Sequence, residues 1–296
     1  MNFDKIKINC SSLSKIMTIA RSLRITEKQQ EIYDEWLIKG RENLTDNQKD
    51  KFDRYDYAIK NKDDYSKLSE GCITELKNIY VYEKYNKRVT GSSKDFVISM
   101  LNGTLSEGKS LEMLSDFDGV EYKVNKNLIQ NRYLKGKIDA YVGNSIKKAK
   151  KVVDIKTVAN MQSLLSHTLN KKQQDYYWQI MGYLAITGAE VGEICYCCVT
   201  YPQEIILEEI RRYKMRVSGL SLPKNEIEKA IEQIRNDLTF DEIPPSERII
   251  RIQVERNEQD IKLISEKVKM CREWLNYFDT YHDNLNKNLW YIGLNL

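Results

Sequence analysis

The chain of 296 residues is 41% hydrophobic and 30% charged, enough apolar content for a real core beneath a highly charged surface. No apolar run reaches the length of a membrane span, and the stretch MNFDKIKINC lacks a signal-peptide apolar core, so a cytoplasmic protein with no membrane partner is expected. With only two histidines, His167 and His282, a His-rich zinc site and a His-based catalytic triad are set aside, and no P-loop or GxGxxG pattern occurs. Any catalysis must then rest on carboxylates and lysine.

The net charge of +4 is mild, but Lys135, Lys137, Lys147, Lys148, Lys150, Lys151 and Lys156 crowd into one window. Such a run is either a solvated hairpin or a phosphate-facing surface. The six cysteines are scattered apart from the CYCCVT stretch, a pattern that suits buried free thiols better than disulfides.

In chain order, residues 11–20 read as a short helix opened by a serine cap, and 26–60 as two polar helices forming an insertion or lid. Residues 66–86 form a helix with Cys72, Leu76, Ile79 and Tyr80 on one stripe. Strand texture begins near 118 with GVEYKV, NRYLKGKIDAYVG and KKVVDIKTV. A helix follows at 172–187, a strand at EICYCCVTY, helices at 203–213 and 224–236, and a last strand in PSERIIRIQVE. A long amphipathic helix closes the chain, with Ile261, Ile264, Val268, Cys271 and Leu275 inward. This order gives one mixed α/β domain over 1–296: a helical insertion at 24–62, a core at 64–200, and C-terminal helices and strand at 201–296.

Alternation along KKVVDIKTV puts Asp154 and Lys156 on one face and Ile155 on the other. KGKIDAYVG carries Asp139, and a Gly143-Asn144 turn joins the two segments as a hairpin, so two carboxylates can converge. Close carboxylates repel unless a proton or cation sits between them, and a hard divalent ion such as Mg²⁺ suits oxygen ligands. Taken alone, a bare D-x-K favours Asp154 and Lys156 facing solvent from an edge strand. Glu75 lies on or beside the apolar stripe of its helix, or at its flank paired with Lys77 or Lys84. Gln179 and Tyr183 are four apart and share a helix face, with Tyr176 one turn earlier. That face is compatible with plain core packing.

Together these segments resemble the PD-(D/E)XK nuclease superfamily. Gly136-Lys137-Ile138-Asp139 matches its first acidic strand, Asp154-Ile155-Lys156 its (D/E)-x-K strand, and the helix containing Gln179 and Tyr183 its Q-x-x-x-Y signature. YYWQIMGYLAITGAE is similar to the motif helix of lambda-exonuclease and YqaJ-type phage recombination nucleases. GCITE resembles their upstream G-x-x-x-E helix, INCSSLSKIM their N-terminal segment, and IIRIQVERNEQDIKLISEKV their last strand and helix.

The resemblance implies a restriction-endonuclease-like mixed sheet flanked by helices. It makes Asp139, Asp154, the Ile155 carbonyl and Glu75 ligands of Mg²⁺, with Mn²⁺ as a substitute and Glu70 as the fallback for Glu75. Lys156 becomes the transition-state cation, Gln179 a positioning group and Tyr183 its support, while Ser11 and Lys147, Lys148, Lys150 and Lys151 contact DNA. The implied activity is 5′-to-3′ digestion of linear duplex ends in phage-type recombination, beside a single-strand annealing partner and in a ring-like trimer. A structure-specific endonuclease on the same core and an inactive end-binding module are the alternatives. Two departures stand out. The family's phosphate-anchoring arginine before the serine is absent, leaving Lys5 and Lys7 nearby, and Asp154 replaces the commoner Glu. An iron–sulfur cluster on Cys195, Cys197, Cys198 and Cys271 is disfavoured, because neighbours on a strand point to opposite faces.

Overall fold

The computed structural model describes residues 2–19, 25–61, 66–87, 94–167 and 173–292, the side chains of 94–104, 173–175 and 284–292 excepted. The chain divides into two compact units. The first comprises Met1–Val89, Arg132–Leu134 and Glu258–Leu296, the second Thr90–Asn131 and Lys135–Asn257.

The first unit opens with β1 (Ile8–Asn9), whose Ile8 N–H donates to Tyr133 O at 3.0 Å. The helix expected at 11–20 is only α1 (Leu13–Ile16), and Ser12 at its N-cap makes no side-chain cap bond. Its hydroxyl is engaged elsewhere, as described below. Helices α2 (Glu27–Lys39) and α3 (Asp46–Lys60) each start on a capping box, Thr26 with Gln29 and Thr45 with Gln48. Gly40, at φ +83°, ends α2 in a conformation that a side chain would strain. Tyr33, Leu44, Phe52 and Tyr55 form a buried cluster across this pair, so the polar segment carries a small core of its own. Helix α4 (Glu70–Tyr85) is capped by Ser69, whose Oγ accepts the Cys72 N–H at 3.0 Å, and it buries Cys72, Glu75, Leu76 and Tyr80.

The second unit begins with α5 (Lys94–Asp118), a helix absent from the sequence reading. Behind it lie β2 (Lys123–Val124), β3 (Ile129–Gln130), β4 (Leu134–Gly136), β5 (Ala140–Gly143) and β6 (Ala149–Thr157). The expected strand GVEYKV is therefore reduced to its last two residues. The expected strand NRYLKGKIDAYVG breaks in two, with Asp139 in the bend between β4 and β5 rather than inside a strand. Next come α6 (Met161–Ser166), α7 (Gln173–Thr187), β7 (Val191–Cys197), α8 (Gln203–Val217), α9 (Lys224–Asp237), α10 (Pro245–Arg248) and β8 (Ile249–Glu255). Five strands form one mixed sheet in the order β2-β5-β6-β7-β8, in which β6 and β7 run parallel and the other pairs antiparallel.

The pleat sends Val153 and Ile155 of β6, with Cys195 and Cys197 of β7, into a core completed by Met113 and Leu114 of α5 and by Tyr122. The opposite face carries Val152, Asp154 and Lys156 and lies under α7. Gly192 makes this close approach feasible, since a Cβ there would collide with Ile180 Cγ2.

Helix α11 (Glu258–Ile292) returns the chain to the first unit, burying Ile264, Val268, Cys271 and Leu275 as the amphipathic pattern predicts. Cys271 Sγ lies 4.0 Å from Cys72 Sγ. All six cysteines are free and buried, in line with the sequence reading. No helix among the described residues is long and apolar enough to cross a membrane.

Candidate active site

Strand β6 extends past the end of β5, because their ladder ends where Ala140 pairs with Val153. Asp139 occupies the space next to that end. Its Oδ2 accepts the Ile155 N–H at 2.8 Å, taking the place of a ladder partner. Asn125 fixes the bend: its N–H donates to Asp139 O at 2.9 Å and its side-chain amide to Ile138 O at 3.0 Å. In a strand the N–H and C=O of one residue point to the same side. The Ile155 carbonyl is thus aimed at the Asp139 side, beyond the end of β5.

Asp154 is 2% exposed, which makes its partners decisive. Gln179 Nε2 of α7 donates to Asp154 Oδ1 at 2.9 Å and also lies 3.0 Å from Tyr183 OH. Tyr183 OH in turn stands 3.3 Å from Lys137 O and 3.4 Å from Asp154 Oδ1, either of which can take its proton. The other carboxylate oxygen, Oδ2, forms an ion pair with Lys156 Nζ at 2.6 Å. The pairing of Asp154 with Lys156 expected from alternation is present, and the helical spacing of Gln179 and Tyr183 delivers both to the same carboxylate. The exposed-edge alternative does not describe this geometry: β6 is an interior strand and Asp154 is buried.

Electrostatics set Asp139 apart. Burial, followed by the negative charge of Asp154, raises its pKa from 3.8 to about 7, and the Ile155 N–H and Lys156 offset this only in part. Lys156 shows the opposite balance. Burial acts to lower its pKa, but the charge and hydrogen bond of Asp154 prevail and raise it. Buried Asp154 and half-buried Asp139 thus lie in the field of one ammonium, which pairs with Asp154, an arrangement short of positive charge.

That deficit fits a hard divalent cation. Asp139, Asp154 and the Ile155 carbonyl offer oxygen donors on one side of β6, which suits Mg²⁺ or Mn²⁺ with water filling other positions. Among the described residues, no three His, Cys, Asp or Glu side chains gather into a metal-binding group. The thiols suggested for a cluster lie in apolar surroundings, where burial pushes Cys197 up to about 12 and Cys198 up to about 11. Neither favours the thiolate that iron ligation needs.

Glu75 belongs to the first unit. Its Oε1 accepts Ser12 Oγ–H at 2.7 Å and its Oε2 meets Lys15 Nζ at 3.0 Å. Burial acts to raise its pKa, but the bonds from Ser12 and Lys15 outweigh it and hold the group below its ordinary value. The buried-stripe alternative describes the position: Glu75 is buried with Cys72, Leu76 and Tyr80, and its cation is Lys15 rather than Lys77 or Lys84. The sequence reading missed Ser12 and Lys15, although their spacing one turn apart was the available signal. Ser11 is exposed, as is Glu70 in the first turn of α4.

The lysine run is divided. Lys147 Nζ donates to Ile186 O at 2.9 Å and Lys151 Nζ pairs with Glu193 at 2.8 Å, so both are already engaged, whereas Lys148 and Lys150 are exposed. His167 caps the C-terminus of α6 and stacks on Tyr196 with ring centroids 4.0 Å apart.

No family model matches the sequence, and no curated protein matches it. Solved structures do. A phage-related exonuclease from Haemophilus somnus 129PT superposes with a TM-score of 0.58 at 15% identity, covering 94% of this chain and 97% of that one. An alkaline exonuclease from Laribacter hongkongensis gives 0.53 at 11% identity, covering 97% and 96%. The same enzyme in complex with dAMP gives 0.52 at 12% identity, covering 96% and 94%. The chain has the fold of these exonucleases. Its mixed α/β architecture agrees with the class expected from the sequence, and the match spans nearly the whole chain.

Proposed function

We propose that the protein is a divalent-metal-dependent deoxyribonuclease that digests linear duplex DNA from its ends. The observation that carries this reading is the under-neutralised pair Asp139 and Asp154, with Lys156 and Gln179 fixed around it, on a fold shared with exonucleases. In this reading Asp139, Asp154 and the Ile155 carbonyl hold Mg²⁺. The ion, when bound, lowers the pKa of water and neutralises charge on the phosphate.

The chain's own groups do the rest. Lys156 places an ammonium where negative charge grows on the phosphate oxygens in the transition state. Gln179 holds the Asp154 carboxylate in one rotamer, since its amide is itself fixed by Tyr183. Asp139 must lose its proton to act as a ligand, which its raised pKa delays to near-neutral pH. Exposed Lys148 and Lys150, with Ser11, contact backbone phosphates, which gives position without sequence information, whereas Lys147 and Lys151, expected to join them, are held by Ile186 O and Glu193. A single nuclease domain over 1–296, with 24–62 as a helical insertion or lid, completes the reading.

We further assign 5′-to-3′ polarity, mononucleotide products, a place in phage-type recombination beside an annealing protein, a ring-like trimer and a cytoplasmic setting. The structure of a neighbour with dAMP supports a mononucleotide product. The test compares end-labelled linear duplex with covalently closed circles, in Mg²⁺ and in EDTA. Loss of the linear duplex to mononucleotides in Mg²⁺ alone, with circles spared, is expected. Rapid nicking of circles would replace this reading with that of an endonuclease.

A further inference from the structure

Lys156 has a second neighbour that the sequence reading left as an offset helix residue. The ring of Tyr176, on α7 one turn before Gln179, has its centroid 5.7 Å from Lys156 Nζ, within cation–π range. Tyr176 is itself buttressed. Its ring meets the edge of Tyr196 at 6.1 Å and 81°. Tyr196 is 2% exposed on β7, opposite Lys156 in the parallel ladder, and His167 closes the stack at 4.0 Å and 14°. A line of rings thus runs from the end of α6 across β7 to the ammonium.

The reason such a support is needed is physical. The Lys156 side chain is 32% exposed and hangs on a four-carbon stem, so it can swing into water. Its ion-pair partner, Asp154 Oδ2, is also a metal donor in the reading above, and a carboxylate that shares its charge with a cation holds an ammonium less firmly. An aromatic face holds the ammonium without competing for the carboxylate and without taking a proton from it.

We propose that Tyr176 is a positioning residue for Lys156, its ring face keeping the ammonium over the scissile phosphate and its rigidity supplied by Tyr196 and His167. The inference rests on the nuclease reading, because it presumes that Lys156 acts in cleavage.

The experiment compares Tyr176→Leu, Tyr176→Phe and Tyr176→Trp with wild type and with Asp154→Ala. Leu removes the π-face, while Phe and Trp retain it. Tyr176→Leu should lower kcat about tenfold with KM for linear duplex little changed, and Phe and Trp should restore most of the loss, as expected of a π-face rather than a hydroxyl. A second readout needs no turnover. In metal-free protein the Lys156 side-chain ammonium, followed by ¹⁵N NMR, should be ordered in wild type and in the Phe variant and mobile in the Leu variant. Wild-type kcat in Tyr176→Leu beside an inactive Asp154→Ala would overturn the inference alone. Failure of Phe and Trp to rescue would also overturn it, by assigning the effect to the hydroxyl. Wild-type cleavage by Asp154→Ala would defeat the nuclease reading itself, and the NMR comparison would still decide whether Tyr176 holds Lys156. An ammonium equally ordered in the Leu variant would overturn the positioning claim.

Discussion

The two faces of the five-stranded sheet each carry buried charge, and they treat it in opposite ways. On the α5 face, Arg251 makes a two-bond contact with Asp118 at 2.7 and 2.9 Å, and Lys151 pairs with Glu193 at 2.8 Å. Two carboxylates thus meet two cations, Arg251 also standing 4.0 Å from Glu193. Burial acts to raise the pKa of Asp118, but the Arg251 hydrogen bonds prevail and hold it below the usual carboxylate range. On the α7 face, Asp139 and Asp154 share Lys156, and Asp139 is pushed up to about 7. A balanced network fastens α5 to the sheet. An unbalanced one stores repulsion that a bound cation would relieve, which is the usual mark of a working site.

The largest way to separate the faces is to cut each one. Asp154→Asn should lower kcat on the order of a thousandfold while leaving the urea midpoint near wild type, and Lys156→Ala should lower kcat as far but also cost stability, because it strands buried Asp154. Arg251→Ala should do the reverse. Stability should fall by about 2–3 kcal/mol, reduced from the fully buried case because Arg251 remains 26% exposed, and cleavage at low temperature should persist. Inactive but stable Arg251→Ala protein would erase the distinction.

Proton linkage sharpens the contrast. Asp139 has a folded pKa of about 7 against an ordinary 3.8, so the fold binds its proton more tightly than the unfolded chain does. This contribution to stability is fully present below about pH 4 and is lost as pH rises through 7. In EDTA, the melting temperature of wild type should therefore drop more between pH 6 and pH 8 than that of Asp139→Asn. Added Mg²⁺ should stabilise wild type more at pH 8 than at pH 6. Equal pH slopes in the two proteins would show that Asp139 is not perturbed.

The smallest effect belongs to the lysine run. Lys148→Ala and Lys150→Ala should leave stability unchanged and reduce the slope of log affinity for DNA against log salt by about 1 each. Lys151→Ala should instead cost stability, because it strands Glu193, which is 5% exposed. Filter binding across a salt series, set beside urea melts, distinguishes the two groups.

Much of the α7 face was legible in the sequence because its logic is local. Strand alternation placed Asp154 with Lys156, and helical spacing placed Gln179 with Tyr183. Asp139 was placed correctly beside them but on the wrong element. The bend that carries it is fixed by Asn125, more than ten residues upstream, and no short-range pattern announces that. Helix α5 went unread because Gly108 and a scatter of Ser, Glu and Lys blur its apolar period. The partners Lys151–Glu193 and Arg251–Asp118 are separated by 42 and 133 positions, so the balanced face could not be read from spacing at all. In the first unit, Glu75 was found from its apolar stripe, whereas its partners Ser12 and Lys15 lie 63 and 60 residues away.

The central claim is that the α7 face is a divalent-metal site for phosphodiester cleavage. Calorimetric titration of Mn²⁺ and Ca²⁺ into metal-free wild type, Asp139→Asn and Asp154→Asn at pH 8 tests it most directly. The account predicts saturable binding of both ions to wild type, cleavage of linear duplex with Mn²⁺ but not with Ca²⁺, and loss of binding in both variants. Binding to Asp154→Asn with wild-type affinity, or cleavage by wild type in excess EDTA, would contradict it.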